Sequence, residues 1–159
     1  YDEVRICQNR QKPIIEVESK FKVGDWIVTD KGDTVQIKTI NNDYYTIGNG
    51  MFVNIPYVDK CWHKWTVKDA KNGDILWHSD SASNGIFIFK EIRNDGKILC
   101  YCDYDSEDHF CLGEHHTCCW ESSKYVKPAT KEQRDLLFKR MQESGYIWNA
   151  DKKELTNIL

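Results

Sequence analysis

Phe21-Lys22-Val23-Gly24-Asp25-Trp26-Ile27-Val28 decides the reading of this chain, because Asp69-Ala70-Lys71-Asn72-Gly73-Asp74-Ile75-Leu76-Trp77 repeats its plan about 49 residues later. In both, Gly-Asp supplies turn chemistry and the apolar run behind it has the length and composition of a short strand. After the first copy, Thr29-Asp30-Lys31-Gly32-Asp33 reads as a turn. Residues 35–40 then alternate, with Val35, Ile37 and Thr39 on one face and Gln36, Lys38 and Ile40 on the other. Asn41-Asn42-Asp43 is a second turn, 44–47 a strand, Gly48-Asn49-Gly50 a third turn, and Met51-Phe52-Val53 another strand. Strands this short, spaced by Gly, Asn and Asp, predict a small barrel or sandwich.

The second copy continues in step. Ile86-Phe87-Ile88-Phe89-Lys90-Glu91-Ile92 matches 35–40, with Lys90 and Ile92 against Lys38 and Ile40. Asn94-Asp95-Gly96 matches the turn at 41–43, and 98–101 matches 44–47. The offset grows from about 49 to about 54, as it does when loops absorb insertions. The expected organisation is a lead-in at 1–20, with one short strand candidate at 13–17, a first barrel at 21–66, a second at 67–128, and a cap at 129–159. In the cap, Thr130 and Gln133 form a capping box that starts a helix over 131–144. Leu137, Phe138 and Met141 make its apolar stripe, and Gly145 stops it. Tyr146-Ile147-Trp148 and Glu154-Leu155 flank a turn and predict a terminal hairpin.

The opening stretch, the segment 69–76, and Ala129-Thr130-Lys131-Glu132-Gln133-Arg134-Asp135-Leu136-Leu137-Phe138 through Gly145-Tyr146-Ile147-Trp148 together resemble an uncharacterised family of human-gut Bacteroides-type bacteria and their phages. The resemblance runs from Phe21 to Leu155. It implies a phage or mobile-element context and carries no catalytic residue. The Phe-Lys-Val-Gly-Asp opening is also similar to the first strand of SH3-like barrels, which are mostly binding modules. The fold expected is therefore mainly β with one C-terminal α-helix: two tandem small SH3-like barrels plus a C-terminal helix and hairpin.

Composition narrows the function. The 159 residues are 40% hydrophobic and 13% aromatic, too apolar for a disordered chain. The net charge is −3, and 66–127 alone carries −4, so duplex DNA is a poor partner. No apolar run approaches the roughly 20 residues of a membrane span, and a soluble chain is expected. Seven cysteines at irregular spacing make a poor disulfide framework, which favours reduced thiols and a cytoplasmic setting in a bacterial host. The chain opens on Tyr1 rather than Met and shows no leader pattern, which leaves a preceding segment open.

Catalytic patterns are weak. The glycines are isolated turn residues, no nucleophile elbow occurs, and no cofactor is expected. The densest ligand-type cluster is Cys100, Cys102, His109, Cys111, His115, His116, Cys118 and Cys119. If zinc binds, Cys100, Cys102, His109, Cys111 and His115 are its candidates. Without a Cys-x-x-Cys pair, the favoured reading is that Cys100 and Cys102 are small core residues. Asp103, Asp105, Glu107 and Glu114 fit positions 1, 3, 5 and 12 of a calcium loop, but Asp108 stands where that loop needs glycine. The aromatic residues are the stronger signal. Tyr57, Trp62, His63, Lys64 and Trp65 cluster at the end of the first unit, and Trp120 and Tyr125 at the end of the second. Such planes stack on proline, sugars or bases, or else seal the barrel ends. The function expected is a non-catalytic binding module with a protein partner. One alternative is a small-molecule binder that sequesters a nucleotide-type signal, and another is a zinc-dependent protein.

Overall fold

In the computed structural model, residues 19–79, 84–113 and 125–159 are described. The chain is mainly β, as expected. Among the described residues it forms two five-stranded antiparallel sheets, a two-stranded hairpin and two α-helices. It divides into two compact units between Lys64 and Trp65. The lead-in and its strand candidate at 13–17 lie outside the described residues.

The first unit contains β1 (Trp26–Val28), β2 (Thr34–Ile40), β3 (Tyr44–Ile47), β4 (Phe52–Asn54), helix α1 (Ile55–Cys61) and β5 (His63–Lys64). Its strand order is β4-β3-β2-β1-β5. The core is Phe21, Ile27, Ile37, Tyr45, Ile47, Ile55, Val58 and Trp62, with Val35, Ile40 and Val53 packed against it. One expectation fails here. Ile37 pairs with Ile47 and Thr39 with Thr46, so Lys38 is an extra, bulged residue. A bulge shifts the two-residue alternation by one, which exposes Thr39 and turns Ile40 inward.

The second unit contains β6 (Ile75–Ser79), β7 (Asn84–Ile92), β8 (Ile98–Asp105), β9 (Phe110–Leu112) and β10 (Val126–Pro128). Its order, β10-β6-β7-β8-β9, places the fifth strand beside the first, as in the first unit. The turns before β1 and β6 also share their bonding. Asp25 accepts from the Lys22 amide at 2.9 Å, and Asp74 from the Lys71 amide at 2.8 Å. Gly24 (φ 93°) donates to the Ile37 carbonyl, and Gly73 (φ 95°) to that of Phe89, both at 2.8 Å. Both turns need a positive φ, which glycine adopts without strain. In β7, Phe89 pairs with Cys100 and Glu91 with Leu99, so Lys90 is bulged, at the position matched to Lys38. A second irregularity lies on β8, where Ile88 pairs with Cys102 and Phe89 with Cys100, leaving Tyr101 as the extra residue. Ile92 faces Ile98 as Ile40 faces Tyr45, so the register offset there is 53 residues, one fewer than the sequence match gives.

Helix α2 (Lys131–Glu143) begins with the expected box: Gln133 N–H donates to the Thr130 hydroxyl, and Thr130 N–H to the Gln133 side chain. A like box, Thr66 with Asp69, caps the short 3-10 turn Val67–Asp69. Leu137 and Met141 of α2 are buried against Ile86, Ile88, Cys102 and Ala129. Phe138 is not in that stripe. It is 37% exposed, because the buried pair is four residues apart and Phe138 is turned about 100° from Leu137. β11 (Tyr146–Asn149) and β12 (Glu154–Asn157) form the expected hairpin, and Tyr146, Trp148 and Leu155 pack on the same core.

Candidate binding surface

The first unit gathers its site around α1, which sequence reading missed. Asn54 caps the helix by accepting from the Tyr57 amide at 3.2 Å, and a proline stands in its first turn. This places Tyr57 and Trp62 edge to face, with ring centroids 6.3 Å apart. Both reach Asp30 in the turn between β1 and β2, where the Thr29 hydroxyl accepts from the Lys31 and Asp33 amides. The Tyr57 hydroxyl donates to one Asp30 oxygen at 2.5 Å and the Trp62 indole N–H to the other at 3.2 Å. The Tyr57 bond holds the Asp30 carboxyl below the usual carboxylate range, and the same bond raises the Tyr57 phenol. With its hydroxyl engaged, Tyr57 still presents its ring to solvent and is 46% exposed.

The other expected aromatics separate by exposure. Trp62 and Trp65 are buried, at 7% and 6% exposed, so they seal rather than stack. His63 and Lys64 are exposed on β5 opposite Val28 and Ile27. Tyr125, just before β10, is partly exposed, and Trp120 lies outside the described residues. Sequence reading did not single out a further exposed apolar group in this unit. There, Phe52 on β4 is 65% exposed and Met51 54%, and Tyr44 on β3 meets Phe52 edge to face at 6.4 Å. β4 is an end strand of its sheet. Asp30 was legible only as a turn residue, because its partners stand 27 and 32 positions away.

The Cys/His region is organised differently. Cys100 and Cys102 are buried on β8, and Cys102 belongs to the core under α2. Cys111 is half-buried opposite Asp103. His109 lies 3.5 Å from Asp105 and 3.9 Å from Glu107. Asp105 is spent on the turn, accepting from the Glu107 and His109 amides at 2.9 and 3.0 Å. Asp108 adopts the left-handed backbone (φ 66°) at the position where a calcium loop requires glycine, and it accepts from the Tyr104 hydroxyl at 2.7 Å. Among the described residues, no three His, Cys, Asp or Glu side chains converge as metal ligands. Glu114 and His115 lie outside them, as do His116, Cys118 and Cys119. Also among the described residues, no helix is long and apolar enough to cross a membrane. Comparison of the chain with protein-family models, curated proteins and solved structures found no match.

Proposed function

We propose that this protein is a non-catalytic binding module in which a small SH3-like unit is present twice, and that its first unit docks a protein partner. The observation that carries the docking reading is the exposed apolar strip of Tyr44, Met51 and Phe52, in which the Tyr44 and Phe52 rings meet edge to face. Large apolar side chains grouped at one place on a surface are a mark of an interaction site. Aromatics and methionine are also enriched where proteins meet. The strip adjoins an end strand whose outer edge pairs with no strand of its sheet among the described residues. The exposed Tyr57 is a separate anchor candidate in the same unit, and the bond from its hydroxyl to Asp30 lowers the ordering cost of using its ring.

The repeat is supported by the shared strand order, the paired Lys-x-Gly-Asp turns and the bulges at Lys38 and Lys90. The resemblance noted above makes a phage protein acting in the cytoplasm of a gut bacterium the natural setting. The test is capture from a Bacteroides-type lysate by immobilised wild type and by the Met51→Ser, Phe52→Ser double variant. A protein retained by the wild type and lost with the variant, at an unchanged urea midpoint, is the expected result. Identical captured sets from the two forms would remove the docking reading.

A further inference from the structure

The geometry points to a second site, a cleft in the second unit that takes a small aromatic anion of the nucleoside monophosphate class. The cleft has a volume of about 540 Å³ and is walled by β7, β8, β9 and the β11–β12 hairpin. That volume falls in the range of small-ligand sites, roughly 300–1,000 Å³. Lys90, Tyr101, Tyr146, Lys153, Glu154 and Leu155 are among its lining residues.

Three of these side chains stand where the backbone departs from regular geometry. Lys90 and Tyr101 are the two bulge residues of the β7–β8 pair. Lys153 is a non-glycine residue in the left-handed region, at φ 54°. Its side chain lies across Gly73, where an added Cβ would come within 2.8 Å of the Lys153 ammonium. Bulges re-aim side chains and recur beside binding sites, and strain held in place by a fold is commonly linked to function. The ladder itself needs neither bulge residue, and glycine or asparagine would relax the backbone at 153.

The chemistry of the wall is specific. Tyr101 is fixed by Trp148, with ring centroids 4.8 Å apart, and its hydroxyl donates to Asn72 at 2.8 Å. A rigid ring of this kind is a stacking platform for a flat base. The Lys90 ammonium stands 5.4 Å from the Tyr101 centroid. Among the described residues, no carboxylate is within ion-pair distance of Lys90 or Lys153. Two cations then remain for an anionic group, while Glu154 offers an acceptor to ring N–H donors. Tyr146 and Leu155 complete an apolar side. This site lies wholly in the second unit and does not depend on the docking surface of the first.

Isothermal titration of the full chain with AMP, GMP, CMP and UMP, their nucleosides and inorganic phosphate tests the assignment. At least one nucleotide is expected to bind tenfold or more tightly than its nucleoside and than phosphate. Lys153→Gly and Lys90→Met should each weaken that binding at least tenfold. The glycine variant suits the backbone at 153, so its urea midpoint should not fall. Binding of no nucleotide in preference to its nucleoside would overturn the proposal, as would wild-type affinity in Lys153→Gly. Should both variants fail to fold, the comparison of nucleotide with nucleoside on the wild type still decides.

Discussion

Tyr45 shows how much one side chain can hold. It is fully buried, and its hydroxyl donates to Asp59 at 2.6 Å while accepting from the Phe21 amide at 3.2 Å. Asp59 in turn accepts from the Lys20 amide, so one phenol ties the segment before β1 to helix α1. Burial, followed by the Asp59 bond, pushes the Tyr45 phenol up to about 12. The neutral phenol is thus favoured in the folded state. Its contribution is complete below the ordinary tyrosine value of about 10 and is lost as pH rises from there toward about 12. Tyr45→Phe leaves the Phe21 amide and one Asp59 oxygen without this partner. It should cost about 1–3 kcal/mol in urea unfolding at neutral pH. Between about pH 10 and 12 the gap between variant and wild type should close, since the wild type alone loses this contribution there. A constant gap across that window would contradict the assignment. Nothing local in the sequence marks Tyr45 for this role, because Asp59 is 14 positions away.

At the scale of elements, legibility followed how local the cause was. The capping box of α2 and its Gly145 stop are local, and both were legible. Gly145 sits at φ 91°, as a left-handed terminator requires. Thr130→Ala should therefore lower stability by about 1 kcal/mol, read as a reduced melting temperature, whereas Thr130→Ser should restore most of it. Helix α1 was not legible, although Asn54 and Pro56 are proper start signals. It has 7 residues and too few turns to show a period, and its neighbours read as strand. The bulge at Lys38 was hidden for another reason. Extended-chain alternation assumes a regular ladder, and residues 35–40 alternate well enough on paper to conceal a change of face. Phe138 misled by composition: it is apolar at a spacing compatible with the stripe, but the buried pair is Leu137 and Met141.

For the whole molecule, each sheet has its own hydrophobic cluster, and the two clusters share no residue. Ile37→Ala opens a cavity in the first and Leu137→Ala in the second, each costing about 2–5 kcal/mol. Amide exchange should show protection falling first in β1–β3 for Ile37→Ala and in β7, β8 and α2 for Leu137→Ala. A uniform loss across both sheets from either substitution would mean that the two cores unfold as one. The mainly β class and most of the strands could be read from turn chemistry and short apolar runs. The candidate sites could not, because they are assembled from side chains that chain distance keeps apart: Asp30 with Tyr57, and Lys90 with Lys153.

The paired bulges give this architecture freedom to diversify. A residue looped out of the ladder carries no cross-strand obligation, so its side chain can be exchanged while the sheet stays in register. In the first unit that position holds Lys38, whose ammonium is consumed locally by Gln36 at 2.8 Å. In the second it holds Lys90, which faces a cleft instead. One backbone irregularity thus serves as an interchangeable socket, in which new specificity can be seated by a single codon change.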